Sequence, residues 1–392
     1  MTGSHLQLLR HRGPGGWRGL HVVLCGLAIV ALACTSRKAR EIHHPTAADL
    51  AAGRPTIVNG LPPSALHAFR VELRELANAR RTHMVGTLSG PAATVFGEIR
   101  DIATDDAGNV YVLDSQYDEI RIFSPTLKFR GKLGGPGGGP RQFRSPVAVA
   151  RDTADELVVA DRANGIKMFD LRDSARTLVR TWRTEVAPDD ICVMGSALFV
   201  RAAGASGKLI HEFDLVSGQP VREFADAYRS DNPLVVEQMS EGPIACAPSD
   251  GIVVLGYKYL PIVAAFDSTG TRRWIARIAN FAPTDITETR SPQGAPRVKI
   301  GATGDMVATL LAVPRHWLLL QVFRVVEDSL NESSVQQRSY LIDARSGDGA
   351  RVQSSVPMVL DADEENLYGV WGTKEEPWPR LVEDSYSSAA GR

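Results

Sequence analysis

A glycine-rich stretch beside basic residues is the first feature of the sequence that could do chemistry. Residues 131–146 read GKLGGPGGGPRQFRSP and contain Lys132, Arg141 and Arg144. A phosphate-binding loop would need the order GxxxxGK[ST] followed by a helix, so that backbone amides and the helix N-terminus meet the phosphate. Here the lysine precedes the glycines, and Pro146 is followed by the strand-like VAVA. The stretch therefore predicts a tight crossing between two β-sheets.

Aspartates at the ends of predicted strands are the next candidates for catalysis or metal binding. Asp114 and Asp161 close the runs VYVLD and VVAD, where an aspartate most often accepts hydrogen bonds from backbone N–H groups of the following turn. Asp101 and Asp190 precede strands and could face a central channel, which makes them the candidates for a cation site. Other repeats lack an acid at this position, so we expect no metal and no other cofactor.

The remaining reactive side chains do not form a pattern typical of a catalytic site. The histidines beyond the N-terminal region lack metal-ligand spacing, and they are His67, His83, His211 and His316. There is no Gly-x-Ser-x-Gly elbow, and the cysteines have no histidine nearby in sequence. We therefore expect a binding protein rather than an enzyme.

The overall composition argues against nucleic-acid binding and against disorder. The chain of 392 residues is 44% hydrophobic and 23% charged, with a net charge of −1. Nucleic-acid binding rests on clustered Lys and Arg that neutralise phosphates, and the balanced charge gives no such overall attraction. We expect a folded protein with a sizeable core and no nucleic-acid partner.

The first 33 residues have the features of a signal peptide. Three arginines between residues 10 and 18 precede the apolar run GLHVVLCGLAIVALA, which is short for a spanning helix of about 20 residues. The sequence Ala-Leu-Ala-Cys at 31–34 resembles a bacterial lipobox, in which Cys34 would be lipidated and would anchor the chain to a membrane. The same residues suit ordinary signal cleavage, so a secreted protein is one alternative and an uncleaved anchor another.

Two further cysteines, Cys192 and Cys246, lie beyond the signal peptide and Cys34. They could pair in an oxidising compartment of the envelope, but two cysteines are not a disulfide framework. We expect two separate buried thiols that pack as small apolar side chains.

From about residue 96 the sequence repeats a pattern of short apolar strands and turns. IRDIATDDAGNVYVLDSQYDEIRIF (99–123) and SPVAVARDTADELVVADRANGIKMF (145–169) share the order strand, acidic turn, strand ending in Asp, polar loop and strand ending in Phe. The spacing from Asp114 to Asp161 is 47 residues, and fainter copies of the unit continue to about residue 384.

Six such units of four strands predict an all-β protein, a closed six-bladed β-propeller over 65–385. It would follow a tether at 34–64 and precede a disordered tail at 386–392. The last unit has only three strands, while an additional β-like stretch lies at 70–86. Pairing of that stretch with the last unit would close the ring and satisfy its sheet edges. Residues 65–80 could alternatively form a short helix.

The two strongest units resemble NHL repeats, particularly those of six-bladed propellers in bacterial envelope proteins. The matching positions are Gly108-Asn109, Asp114, Gln142-Phe143, Pro146, Asp161 and Asn164. Tyr117 stands where the family has Asn, and Glu119 where it favours Arg. The resemblance is strong over about residues 96–171, and it implies a propeller that serves in the bacterial envelope.

Blade topology places the turns between second and third strands on the same face as the crossings to the next blade. Aromatic and arginine side chains, which dominate binding hot spots, are frequent there. We predict a binding surface formed by Tyr117, Arg141, Arg144, Arg162, Tyr257, Lys258, Tyr259, Trp371 and Trp378. The other interpretation is that these side chains only cover the blade ends.

Taken together, these features predict a lipoprotein of the bacterial envelope that faces the periplasm or the exterior. Its partners would be the membrane, through the lipid anchor, and an envelope protein, a peptide or a small-molecule ligand. The alternative function is a metal-dependent propeller enzyme of the lactonase, lyase or hydrolase type with its site in the central channel. That alternative rests on analogy between folds.

Overall fold

The computed structural model of the protein describes residues 56–61, 67–327, 333–373 and 376–386. The signal peptide, Cys34 and most of the predicted tether lie outside these residues. The described part begins with β1 (Ile57–Val58), α1 (His67–Ala77) and β2 (Arg80–Val85). None of the helices in the described ranges is long and apolar enough to cross a membrane.

Six sheets follow along the chain, and each is one blade with strands a, b, c and d from the centre outward. Blades 1 and 2 consist of β3 (Ile99–Thr104), β4 (Val110–Asp114), β5 (Glu119–Phe123), β6 (Phe129–Gly134), β7 (Pro146–Arg151), β8 (Glu156–Asp161), β9 (Gly165–Asp170) and β10 (Leu178–Trp182). Blade 3 consists of β11 (Asp190–Met194), β12 (Ala197–Arg201), β13 (Lys208–Asp214) and β14 (Pro220–Asp226).

The second half of the ring contains additional elements between its blades. After blade 3 come α2 (Pro233–Ser240) and then blade 4, with β15 (Ile244–Ala247), β16 (Ile252–Gly256), β17 (Ile262–Asp267) and β18 (Arg272–Arg277). A hairpin of β19 (Ile286–Arg290) and β20 (Pro296–Ile300) precedes blade 5, with β21 (Gly304–Val313), β22 (Trp317–Glu327), β23 (Ser333–Asp343) and β24 (Gly349–Arg351). Blade 6 contributes β25 (Met358–Ala362), β26 (Asn366–Trp371) and β27 (Arg380–Ser385).

The predicted six-bladed propeller and its closure by an N-terminal strand are confirmed. The fourth strand of blade 6 is β2, which pairs antiparallel with β27 in a register that joins Arg81 to Asp384 and Val85 to Leu381. This pairing satisfies the edge that a three-stranded last blade would expose. The sequence allowed either a helix at 65–80 or a β-strand within 70–86, and the structure has both, a helix at 67–77 and a strand at 80–85.

The elements before β2 also pack on the propeller. Phe69, Leu73 and Leu76 share one face of α1, as their spacing of four and three residues requires, and they pack on blades 5 and 6. β1 pairs with β24 as a fifth, parallel strand of blade 5, and the side chain of Ile57 is fully buried. The range predicted as a tether, 34–64, thus contributes a strand to the domain.

The glycine-rich stretch is the crossing from blade 1 to blade 2. Gly134 has a φ of +87°, and a Cβ atom there would lie 2.1 Å from the ring of Phe143, so only glycine fits this turn. Lys167 of blade 2 donates at 2.6–3.0 Å to three carbonyl oxygens of the loop, those of Gly139, Pro140 and Gln142. These contacts fix the loop within the fold, and they engage the ammonium group of Lys167 with the loop backbone.

Cys192 and Cys246 form a disulfide, so the expectation of two separate thiols is wrong. They occupy β11 and β15, the adjacent a strands of blades 3 and 4, with 5.5 Å between their Cα atoms. Their separation of 54 residues is close to the length of one repeat, and for this reason the propeller places them side by side. The cross-link joins two neighbouring blades in the wall of the channel.

Candidate functional site

The six a strands, β3, β7, β11, β15, β21 and β25, surround a central channel with a cavity of about 1340 Å³. We call the face with the b–c turns and the crossings between blades the upper face. The face with the a–b and c–d turns is the lower face. The cavity wall includes residues near both faces, such as Glu98 and Lys258 at the upper mouth and Asp106 and His316 at the lower.

Three aspartates in the channel join neighbouring a strands. Asp101 of blade 1 accepts hydrogen bonds from its own neighbour Ile102 and from Val149 of blade 2. Asp190 of blade 3 accepts in the same way from Ile191 and from Ile244 of blade 4. These carboxylates therefore satisfy backbone donors of two adjacent blades, which is a structural role.

The third acid, Asp361 of blade 6, was missed by the sequence analysis. It accepts from the amide of Ala362 at 2.9 Å and from the hydroxyl of Thr104 in blade 1 at 2.8 Å. Burial raises the pKa of Asp361 to about 6 and that of Asp190 to about 6. Burial, followed by the negative charge of Asp190, raises the pKa of Asp101 well above its usual value.

Because the pKa values of Asp101, Asp190 and Asp361 are raised in the folded state, we expect these groups to make the domain more stable as the pH falls. A carboxyl group whose pKa is higher in the folded state takes up a proton on folding, so its stabilisation is complete below about pH 4 and is lost as the pH rises through about 6. For Asp190 and Asp361, a rise of the pKa from 3.8 to about 6 would correspond to about 3 kcal/mol. Because each side chain keeps some accessible surface toward the channel, we expect about 1 kcal/mol per group.

Urea denaturation between about pH 5 and about pH 8 measures this effect, and Asp361→Asn is the matched variant. The asparagine can still accept from Ala362 and can donate to Thr104, so the fold is kept while one titrating group is removed. We expect a smaller pH dependence in the variant. An identical pH dependence in the two proteins would contradict the assignment.

Insertions build a wall over blades 3 to 5 on the upper face, which the sequence analysis did not predict. This wall consists of α2, the β19–β20 hairpin and the outer halves of β22 and β23, each of which is 11 residues long, whereas the b strands of other blades have five or six. Val235 and Met239 of α2 pack with Ile286 of the hairpin in one apolar cluster.

The wall contacts the three predicted binding residues of the b–c turn of blade 4 and buries one of them. Tyr259 is only 4% exposed because α2 packs over it, so it presents almost no surface to a ligand. Lys258 forms an ion pair with Glu241 at 2.7 Å and is half-buried. Tyr257 lies beside the buried guanidinium of Arg201, and burial raises the pKa of its phenol.

Among the described residues, no such cover lies over the upper face of blades 1 and 2, and the predicted residues there are exposed. Tyr117 is 41% exposed, and its ring packs on the guanidinium of Arg121, with 5.3 Å between the guanidinium carbon and the ring centroid. Arg121 is itself fixed, because it donates to the carbonyl of Val95 and pairs with Glu119. Tyr117 is therefore an aromatic platform on a rigid support.

The predicted arginines of blades 1 and 2 differ in their contacts. Arg162 is in the cavity wall and forms an ion pair with Asp189. Arg144 is exposed, and its backbone amide donates to Asp161. Arg141 is exposed as well, but its guanidinium donates to the carbonyl of Ala175 in the c–d turn of blade 2, so it leans away from the channel.

The predicted tryptophans of blade 6 are half-buried. The guanidinium carbon of Arg81, from the closing strand β2, lies 4.5 Å from the ring centroid of Trp371. Trp378 belongs to the turn that leads into β27. The structure thus distributes the nine predicted residues around the ring. Tyr117, Arg144 and Arg162 lie in upper-face loops of blades 1 and 2 without contacting the wall.

Arg100 is a further candidate that the sequence analysis missed. It lies at a β-bulge in β3, between Ile99 and Asp101, and its exposed side chain is in the cavity wall. Its positive charge is close enough to lower the pKa of Asp190 against the effect of burial. Within the described residues it has no ion-pair or hydrogen-bond partner. The alternation of buried and exposed residues along a strand does not predict where such a side chain lies, because a bulge shifts the strand pairing by one residue.

No three His, Cys, Asp or Glu side chains of residues 56–61, 67–327, 333–373 and 376–386 are grouped as a metal site would require. Asp101 and Asp190 use their oxygen atoms for backbone amides of two blades. The histidine pairs of the described part each contain one carboxylate, and they are His83 with Glu383, His211 with Glu223 and His316 with Asp250.

No protein-family model and no curated protein matches the chain. Solved structures with the same architecture include a protein of Bacteroides fragilis that is described as exported, with a TM-score of 0.52 and 10% identity over 85% of this chain and 99% of that one. A member of the DUF4221 family from Bacteroides vulgatus has a TM-score of 0.50 and 10% identity over 79% of this chain and 97% of that one. At this identity the likeness shows the fold and nothing further.

Proposed function

We propose that the protein is an exported, lipid-anchored binding module that holds an anionic group of its ligand at the upper mouth of the channel. The observation that supports binding of an anionic group most directly is the position of Arg100. Its exposed guanidinium lies in the wall of a large polar cavity and has no partner among the described residues. A guanidinium presents a planar fork of donors that matches a carboxylate or a phosphate.

The surroundings of Arg100 support an anionic ligand on blades 1 and 2. Arg144 and Arg162 lie in upper-face loops of blades 1 and 2, and Tyr117, in the b–c turn of blade 1, offers a supported aromatic surface on the same face. Arginine and tyrosine side chains are the types that contribute most to binding energy at interfaces. The wall over blades 3 to 5 would limit the ligand to blades 1 and 2.

Three observations support export to an oxidising compartment. The N-terminal sequence has the pattern of a signal peptide followed by a lipobox-like cysteine. The disulfide between Cys192 and Cys246 would be rare in a reducing cytosol. One of the proteins with the same fold is described as exported.

Replacing the lipobox cysteine is expected to release the protein from membranes. Cys34→Ala removes the thiol that would carry the lipid, so the variant should move from the membrane fraction to the soluble periplasmic or extracellular fraction. Fractionation followed by immunoblotting measures the change, with Cys25→Ala, inside the signal peptide, as the control. Equal membrane association of Cys34→Ala and the unchanged protein would exclude lipid anchoring.

Site-specific photo-crosslinking in living cells tests the binding face. Tyr117→p-benzoylphenylalanine places a photoreactive ring on the exposed sector of blade 1. Val216→p-benzoylphenylalanine is the control, because Val216 is 68% exposed and lies in the c–d turn of blade 3, on the lower face. We expect adducts from position 117 and few from position 216. Equal yields from both positions would contradict binding at the upper face.

A further inference from the structure

The lower mouth of the channel contains a histidine–aspartate pair that the proposed function does not use. Nδ1 of His316 lies 2.8 and 2.9 Å from the two carboxylate oxygens of Asp250. The two residues belong to the a–b turns of blades 5 and 4, and both are in the cavity wall. The side chain of Asp250 is 7% exposed, whereas that of His316 is 39% exposed.

The backbone at His316 has a conformation that residues other than glycine rarely adopt. Arg315 and His316 have φ angles of +65° and +73°, in the left-handed region. Arg315 is held by ion pairs with Glu72 and Glu75 of α1, at 3.4 and 3.2 Å. Contacts on both sides therefore fix a strained turn, and such turns concentrate at functional sites.

The carboxylate of Asp250 determines what the exposed nitrogen of His316 can do. Because Nδ1 must carry a proton to donate to Asp250, Nε2 of the neutral ring is an acceptor. Within the described residues Nε2 has no partner. It is free to accept a hydrogen bond from a ligand. Glu364 is exposed in the same cavity wall, but Asp106 there pairs with Arg151 at 2.8 Å, and Arg345 lies 3.6 Å from Asp250. The lower mouth therefore contains charges of both signs and does not favour a ligand with one net charge.

We propose that the lower mouth is a second binding site, for a neutral, hydroxyl-rich ligand of the carbohydrate class. Nε2 of His316 accepts a hydrogen bond from a ligand hydroxyl, and Asp250 is the positioning residue that sets the ring and its tautomer. The carboxylates around the mouth are further acceptors, which suits a ligand with several O–H donors. The site is on the face opposite to the one in the proposed function, so either can fail without the other.

The test is protection of His316 from carbethoxylation by diethyl pyrocarbonate, followed by peptide mass spectrometry on the full-length protein in mild detergent. The probes are chitotetraose, maltotetraose and mannotetraose, with spermidine as the amine probe. His83 is the internal control, because it is 38% exposed and its Nδ1 lies 3.3 Å from the buried Glu383, but it is on an outer strand. At least one oligosaccharide should slow the modification of His316 about three- to tenfold and leave His83 unchanged.

Two variants separate positioning from folding. Asp250→Asn should abolish the protection while the melting temperature and the rate for His83 stay close to those of the unchanged protein. His316→Gln keeps an acceptor and should retain part of the oligosaccharide affinity by calorimetry, whereas His316→Ala should lose it. Protection by spermidine alone, or by none of the three oligosaccharides, would overturn the proposal.

Discussion

A chain that begins at residue 87 is expected to lose the cooperative unfolding transition of the propeller. It lacks β2, so β27 would become the exposed edge of a three-stranded blade. Leu381 and Val382 of β27 are fully buried in the closed ring, and Val85 of β2 packs on the cluster that joins blades 6 and 1. Opening the ring therefore exposes apolar side chains and unpaired backbone groups at once.

Thermal unfolding followed by circular dichroism measures the effect, and a chain that begins at residue 79 is the control. The control lacks β1 and α1 but keeps β2. It should fold with a lower melting temperature, because it loses the apolar face of α1. Domain stabilities are typically about 5–15 kcal/mol, so loss of the closing strand is expected to exceed what the domain can tolerate. A normal transition in the chain that begins at residue 87 would show that β2 does not close the ring.

Asp305→Ala is expected to lower the free energy of unfolding by about 3–5 kcal/mol. The carboxylate of Asp305 is fully buried and pairs with Arg324 at 2.7 Å and with Arg338 at 2.5 Å. It also accepts from the amide of Ala282, the residue that leads into the β19–β20 hairpin. Burial raises its pKa, but the hydrogen bonds from Arg324, Ala282 and Arg338 outweigh burial and hold the pKa below its usual value.

The size of this effect comes from the arginines that remain. Removing the carboxylate leaves two guanidinium groups without their counter-charge at the base of the wall. Asp285→Ala is the matched control, because Asp285 is exposed at the edge of the same hairpin, and it should change stability by less than about 0.5 kcal/mol. Urea denaturation measures both variants. Equal stabilities for the two would show that Asp305 does not hold the wall to blade 5.

The unchanged protein and the Asp305→Ala variant should also differ in how their free energy of unfolding depends on pH. The folded-state pKa of Asp305 is depressed, so its stabilisation is present above about pH 4 and is lost as the pH falls below that value. The channel acids act oppositely and in a higher window. Replacement of Asp305 should therefore flatten the acid limb of the stability curve without changing the region near pH 6.

The sequence could predict the parts of the fold that repeat. Blades 1 and 2 contain the full pattern of strands and turns, and the missing strand of the last unit indicated that an N-terminal stretch closes the ring. Asp161 illustrates a local role that was readable, since it accepts from Ala163 and Asn164 in the turn that follows it. Such contacts lie within a few residues and leave a signature in the sequence.

The wall could not be predicted, because its parts have no period and meet only in three dimensions. The segments between blades 3 and 4 and between blades 4 and 5 look like long connections. Their folding buries Tyr259, which the sequence had placed on a binding surface. Asp361 was missed although it corresponds to Asp101, since both follow a bulge in an a strand. Bulges move side chains to the other face of a strand without changing composition.

The disulfide could have been predicted from the repeat itself. A separation of 54 residues is near the length of one unit, and equivalent positions of adjacent a strands are neighbours in any propeller. The number of cysteines alone does not indicate which strands are neighbours. The same reasoning would have placed Asp101 beside blade 2 and Asp190 beside blade 4, where they bind backbone amides instead of a metal.

The most direct test of binding at the upper mouth is the crosslinking yield from position 117 with and without the guanidinium of Arg100. Arg100→Ala removes the unpaired cation from the channel mouth, whereas Arg130→Ala removes an exposed arginine from the outer strand of the same blade. Loss of a charged hydrogen bond corresponds to about 1.5–3 kcal/mol, or roughly 10- to 100-fold in affinity. We predict that Arg100→Ala reduces the yield at least about tenfold and that Arg130→Ala leaves it unchanged. Equal yields from the two variants would contradict binding of an anionic ligand at this site.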